Sequence, residues 1–256
     1  MRTAKAGELL EEGMVLEPWN TVVSAERQRR YLDAAEVPAS LFGDTVDLSI
    51  LANDTILAMR YLKKTPMDGL HAGQRMEQLA PVRLGEPLVV RGRVREVRRS
   101  PKGRFTHTSF SIESPLGTQK VLGELIYFNP DPQARVAPAS VDVAFDRTGW
   151  TSVARVALTP QKVAEYSHEF PTYKVHFDPE IAASVGLRAP VAQGLMSFTW
   201  MTMAVAKEGL PQRYSVVASF RRPVFWDETV EVLRRGREMA IVGADARQRS
   251  SGRFDV

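Results

Sequence analysis

Gly194-Leu195-Met196-Ser197-Phe198-Thr199-Trp200-Met201-Thr202-Met203-Ala204-Val205-Ala206-Lys207 is the stretch on which the fold turns. It holds no proline, no glycine after its first residue and no charge before Lys207, so nothing interrupts a helix. Its apolar side chains fall on nearly every face of that helix, which marks a helix buried all round rather than one lying on a surface. The roughly 20 apolar residues of a membrane span are not reached. The spacing therefore predicts a helix over 194–207 wrapped by a sheet.

Working outward, the same elements occur twice. A helix over 48–63, with Ile50, Leu51, Ile56, Leu57, Met59 and Leu62, stands in the first half where 194–207 stands in the second. Each is preceded by a short helical start. Ser24 is placed to cap one, and Thr159, followed by Pro160 at the first helical position, is placed to cap the other. This alignment superposes Tyr31 on Tyr166. Each long helix is followed by strand-like runs. The stretch 81–90 resembles 223–232, and alternating runs follow at 106–113, 121–128 and 239–247. The stretch from Asn129-Pro130-Asp131-Pro132 to Pro138-Ala139, rich in proline and small residues, reads as a linker. Two halves, 1–138 and 139–256, are expected, each an antiparallel sheet around a long helix.

Composition narrows the function. The chain of 256 residues is 44% hydrophobic and 25% charged, enough for a sizeable core. It has no cysteine, which excludes disulfides, thiolate metal sites and a cysteine nucleophile. The acidic residues Glu8, Glu11 and Glu12 near the start do not form a signal-peptide core, so a cytoplasmic protein with no membrane partner is expected. The net charge of +4 is accompanied by no nucleic-acid recognition motif. On a strand, Arg91, Arg93 and Arg95 form one row, a solvated face or an attraction for phosphate. No phosphate-binding glycine loop, nucleophile elbow or metal-ligand spacing is found, so neither a metal nor a bound cofactor is expected. His71 and His107 read as strand or surface residues.

The halves differ between their two helices. The second carries extra chain, Phe170-Pro171-Thr172-Tyr173-Lys174-Val175-His176-Phe177-Asp178-Pro179-Glu180-Ile181-Ala182, running on to Pro190-Val191-Ala192-Gln193-Gly194-Leu195. Long connections in compact domains are often functional. Asp178 is placed to cap a short helix beginning at Pro179.

This segment resembles the hydratase signature of the MaoC-like family of (R)-specific enoyl-thioester hydratases and dehydratases. That signature has the form D-x-N-P-I-H-x-D, then an alanine and a glycine, then P-I-A-H-G-L. His176, Asp178, Ala182, Gly186 and the run from Pro190 to Leu195 match it in order and spacing. The resemblance implies an α+β double hot-dog fold acting on an acyl-CoA or acyl-carrier thioester, with coenzyme A entering only as part of the substrate. A homodimer is expected. His176 would move protons, and the Gly194 N–H would receive the thioester oxygen. A helix N-terminus presents unpaired N–H groups where enolate charge develops.

The departures are specific. The family aspartate falls at Pro171, the asparagine position holds Tyr173, and the histidine before the glycine is Gln193. The carboxylate's task passes to Glu169 as first choice, with His168 and Tyr173 as alternatives. Gln193, Val191, Tyr173 and His168 are the expected substrate contacts. The N-terminal half is expected to shape the acyl tunnel without a catalytic residue. Loss of the aspartate leaves open an isomerase, epimerase or thioesterase of the same fold, or a thioester-binding protein without catalysis.

Overall fold

The computed structural model describes residues 2–59, 69–131, 133 and 143–256. Among these residues ten strands form one antiparallel sheet in the order β1-β3-β4-β5-β2-β7-β10-β9-β8-β6. The first half supplies β1 (Trp19–Val22), β2 (Leu70–Gln78), β3 (Pro87–Ser100), β4 (Gly103–Glu113) and β5 (Gln119–Pro130). The second supplies β6 (Thr151–Ala157), β7 (Tyr214–Phe220), β8 (Thr229–Arg235), β9 (Glu238–Gly243) and β10 (Gln248–Asp255). The two five-stranded halves join edge to edge where β2 pairs with β7, Gly73 opposite Ser219 and Gln78 opposite Tyr214. The expected boundary at residue 138 lies outside the described residues.

Among the described residues, five α-helices accompany the sheet: α1 (Ala25–Ala34), α2 (Leu48–Leu57), α3 (Pro160–Tyr166), α4 (Pro179–Ser184) and α5 (Gly194–Ala206). The local signals for the short ones act as read. The side chains of Ser24, Thr159 and Asp178 accept from the first-turn N–H groups of α1, α3 and α4. Every residue of α2, and every residue of α5 after Gly194, is buried. The two helices pack on each other, α2 beneath β1, β2, β3 and β5, α5 beneath β2, β7, β8 and β10. This is the double hot-dog architecture, each central helix enclosed by its own half-sheet. The last residues of the helix expected over 48–63 lie outside the described residues.

The repeat is physical as well as textual. Tyr31 and Tyr166 meet edge to face with centroids 5.0 Å apart, and Trp200 Nε1 of α5 donates to the Ala35 carbonyl at the end of α1. One part of the repeat was over-read as strand. Residues 81–86 and 223–228 are turns leading into β3 and β8. Their shared glutamates explain the likeness: Glu86 accepts the Arg83 N–H and Glu228 accepts the Phe225 N–H, closing the same turn in each half.

The two helix N-termini differ in a way that decides where a ligand can bind. Asp47 caps α2, accepting from the Ser49 N–H and hydroxyl, and is wholly buried. Gln193, in the same place before α5, makes no side-chain cap. Only the second helix therefore keeps its terminal N–H groups for something outside the chain.

Burial of Asp47 has a measurable consequence. It pushes the carboxyl up to about 6, from an ordinary value of 3.8, because the bonds from Ser49, Thr202 and Leu48 do not offset the loss of water. Between those values the native state holds a proton that the unfolded chain has lost. The stability this contributes is full below about pH 4 and is lost as pH rises through about 6, on the order of 3 kcal/mol. Asparagine caps as well as aspartate and does not titrate. Asp47→Asn should therefore flatten the fall in stability across that window, read by urea unfolding at a series of pH values. An unchanged slope would contradict this role for Asp47.

Candidate active site

The extra segment of the second half folds back over the start of α5. The chain makes a 3₁₀ turn at Lys174–His176. The strand-like stretch after α4 is then laced to its surroundings: Val191 N–H donates to the Val175 carbonyl (3.3 Å) and Ala192 N–H to the Val224 carbonyl (2.8 Å). This brings His176 beside the segment that begins α5. Its Nδ1 lies 2.6 Å from the Val191 carbonyl. A carbonyl only accepts, so Nδ1 carries the proton and Nε2 is the basic nitrogen.

His176, Val191, Gln193 and Gly194 line one cavity of about 300 Å³, together with Tyr173 and Ser197. Its other walls are mainly apolar, among them Ile56, Phe170, Leu187, Phe220 and Val224. Gln193 is only 9% exposed, and its Nε2 has no hydrogen-bond partner among the described residues. A buried donor left in this way costs stability unless a ligand fills it. Gly194, Gln193 and Ser197 thus set donors at the uncapped end of α5, in a mostly apolar chamber that strengthens their field.

Glycine at 194 lets its neighbour approach closely. A Cβ there would stand 3.0 Å from Cδ2 and 3.1 Å from Cγ of Phe220, a ring that also walls the cavity. Gly194→Ala should push that ring into the chamber and weaken binding of a saturated acyl thioester by about tenfold or more, roughly 1.4 kcal/mol. Because alanine favours the helix, the melting temperature should change little. Unchanged binding by calorimetry would show that the cavity is not the ligand site.

Two expected site residues are not brought to this cavity. Glu169 accepts from Arg27 Nε (2.7 Å) and Nη2 (2.8 Å), Tyr31 Oη (2.8 Å) and Asn53 Nδ2 (2.8 Å). Arg27 also holds Asp54, which is wholly buried, at 2.7 Å. Burial raises the Glu169 carboxyl, but the bonds and charge of Arg27 outweigh it and leave it below the usual carboxylate range. Burial of Asp54 wins over the same arginine and holds that carboxyl above its usual range. His168 lies against the Tyr31 ring, its Nδ1–H donating to the Glu165 carbonyl. Glu169 and His168 thus belong to a polar seam between the halves. Tyr173, the third alternative, does line the cavity, edge-on to Phe170 with centroids 5.7 Å apart.

One residue reaches the cavity that sequence reasoning set aside. His71 of β2, from the first half, lines the same chamber as His176. Leu70-His71-Ala72-Gly73 has no alternation to signal a strand, and its placement depends on pairing with β5 and β7. The walls supplied by the first half accordingly come from Ile56, Gly69, Leu70, His71 and Tyr127, not from α2 alone. Among the described residues, no cluster of three histidine, aspartate or glutamate side chains is arranged to hold a metal. No helix among them is long and apolar enough to cross a membrane.

Fold and site together define a double hot-dog protein whose second half holds a cavity at the uncapped N-terminus of its central helix. Residues 147–249 match the model of the MaoC like domain. Among solved structures, the chain is similar to HtdX from Mycobacterium tuberculosis, with 14% identity over 94% of this chain and 98% of that one and a TM-score of 0.73. It is similar to a MaoC-like dehydratase from Phytophthora capsici, with 17% identity over 95% of each chain and a TM-score of 0.73. A third, a Mycobacterium tuberculosis protein described as having a double hot-dog fold, has 11% identity over 96% of each chain and a TM-score of 0.67. No curated protein matches the chain.

Proposed function

We propose that the protein adds water to, or removes it from, an acyl thioester in the cavity between His176 and Gly194. The observation that carries this is the bond from His176 Nδ1 to the Val191 carbonyl, which sets a basic Nε2 in the cavity that receives the uncapped start of α5. In the hydration direction, Nε2 takes a proton from water as the water oxygen bonds to C3 of a 2-enoyl thioester. The C2–C3 π electrons move toward the thioester oxygen. The resulting enolate charge is met by the Gly194 N–H and by Gln193 Nε2, and the proton on His176 returns to C2. The product is the 3-hydroxyacyl thioester, and nothing else is consumed. Coenzyme A or a carrier arm enters as part of the substrate, and a homodimer is the assembly we propose.

The test is incubation of the protein with a panel of enoyl- and 3-hydroxyacyl-CoAs and their carrier-protein counterparts, followed by mass spectrometry. Gain of water by an enoyl thioester, or its loss from a 3-hydroxyacyl thioester, is the expected result. Among the described residues that line the cavity there is no carboxylate, which favours a second reading in which His176 alone removes and returns a proton at C2. Exchange of hydrogen with solvent and no net change of mass would support that reading. Release of free thiol would support a thioesterase, and binding without turnover a thioester-binding protein.

A further inference from the structure

On the reading above, in which the ligand is an acyl thioester, we propose that Arg221 binds phosphate at the mouth of the cavity. It thereby selects thioesters whose arm carries phosphate, as coenzyme A and carrier-bound phosphopantetheine do.

Exposure locates the mouth. Among the described residues that line the cavity, Leu70, Arg221 and Pro223 are exposed, and the rest are buried or half-buried. Leu70 begins β2 and Arg221 follows β7. These are the strands that pair where the halves join, with Gly73 opposite Ser219 at this end of the ladder. The opening therefore lies where that pairing stops. Arg221 is the charged residue of the three.

The cavity wall leads from the reacting centre to this residue. Phe220, whose ring lies against Gly194, is the last residue of β7, and Arg221 comes next. Ser250 of β10 pairs with Phe220 and lines the same stretch, offering a hydroxyl to an amide of a thioester arm. The walls made by Ile56, Phe170 and Val175 are buried and apolar. An apolar acyl group gains by entering between them. The polar arm leaves by the exposed side, past Phe220 and Ser250 to Arg221.

The chain holds the backbone of Arg221 and leaves its charge for something outside. The N–H groups of Arg221 and Arg222 both donate to the Arg249 carbonyl, at 2.9 and 3.1 Å, which fixes the turn after β7. Arg222 is turned toward β10, where its Nη1 donates to the Gln248 carbonyl at 3.1 Å. The carboxylates that follow in sequence are held by other arginines, Asp227 by Arg188 at 2.9 Å, and Glu228 and Asp245 by Arg249. Among the described residues, Arg221 forms no ion pair. A guanidinium at such a place presents a fork of donors that matches the oxygens of a phosphate.

The experiment uses the full chain and one saturated acyl group carried on pantetheine, on phosphopantetheine and on coenzyme A, with Kd read by calorimetry. A phosphate-bearing probe should bind the unaltered protein about tenfold more tightly than the pantetheine probe. In Arg221→Ala and Arg221→Gln that gap should close to within about threefold, because the phosphate-bearing probes weaken and the pantetheine probe does not. Arg221→Lys keeps the charge without the fork and should keep part of the gap. Arg93→Ala removes a positive charge from β3, outside the cavity, and should leave the gap as it is. Circular dichroism and melting establish that each variant is folded. An Arg221-dependent gap between pantetheine and phosphopantetheine supports the proposal and places the arm's own phosphate there, the one a carrier shares. An Arg221-dependent gap that opens only with coenzyme A supports it and places the outer phosphates there. If Arg221→Ala and Arg221→Gln weaken all three probes alike, or leave the gap intact, the proposal falls. Turnover of the matching enoyl thioesters is read separately. Gain of water without an Arg221-dependent gap overturns the phosphate site and leaves the hydratase reading. An Arg221-dependent gap without gain or loss of water on any thioester overturns the hydratase reading and leaves the phosphate site.

Discussion

His176→Ala should lower turnover of an enoyl thioester by about 10²–10⁴-fold, the usual contribution of a positioned general acid–base group. A hundredfold is roughly 2.7 kcal/mol of barrier. The protein should remain folded. The ring is half-buried and its Nδ1 bonds the Val191 carbonyl, so removing it should cost about 1 kcal/mol of stability. A second variant separates chemistry from positioning. The side-chain amide of asparagine can donate to the Val191 carbonyl as Nδ1–H does, yet has no basic nitrogen. His176→Asn should therefore recover the melting temperature without recovering turnover. If asparagine restores the rate, His176 acts by holding the 190–193 segment over α5, and the base is elsewhere.

How much of this was legible in the sequence depends on how local each signal is. The caps at Ser24, Thr159 and Asp178 act within three residues, and each is found where the sequence places it. The α5 helix is legible because a helix apolar on all faces has only one kind of environment. Strands β4 and β5 alternate in burial almost residue by residue, and were read almost to their ends. The strand β2 was missed, because its exposure is set by neighbours on both edges rather than by its own residue types. His71 was hidden with it. Glu169 was misplaced for a related reason: an ungapped reading puts it near the signature, but its partners Arg27, Tyr31 and Asn53 lie more than a hundred residues away. The sequence could show that a carboxylate was missing at Pro171, not that its neighbour was already committed to an arginine in the other half.

That commitment makes Arg27 a residue whose loss should strongly destabilise the fold. The guanidinium is 14% exposed and lies between Asp54 at 0% and Glu169 at 21%. Its charge sits between a carboxylate of the first half and one of the second, so it joins the halves as well as neutralising them. Arg27→Ala leaves Glu169 with Tyr31, Asn53 and, 4.0 Å away, His168 Nε2, and leaves Asp54 with the Thr21 hydroxyl. Removing one partner of a buried ion pair typically costs about 3–5 kcal/mol, because the remaining charge cannot regain water. Glu169→Gln should cost much less, since Arg27 keeps Asp54 and glutamine keeps an acceptor for Tyr31. The pH dependence has a definite sign. Glu169 is held below its usual range, so its stabilisation is full above the unfolded value of 4.5 and is lost as pH falls. Asp54 is held above its usual range and works the other way, losing stability as pH rises. Without Arg27 the first effect disappears and the second grows. Urea unfolding of Arg27→Ala should therefore show its deficit widening from pH 4 to pH 7. Turnover provides the complementary readout. Well below its melting temperature, Glu169→Gln should hydrate the substrate within a few-fold of the unaltered protein, because its carboxylate is not in the cavity. A hundredfold loss in a fully folded Glu169→Gln would return Glu169 to the chemistry and reassign the seam as part of the site.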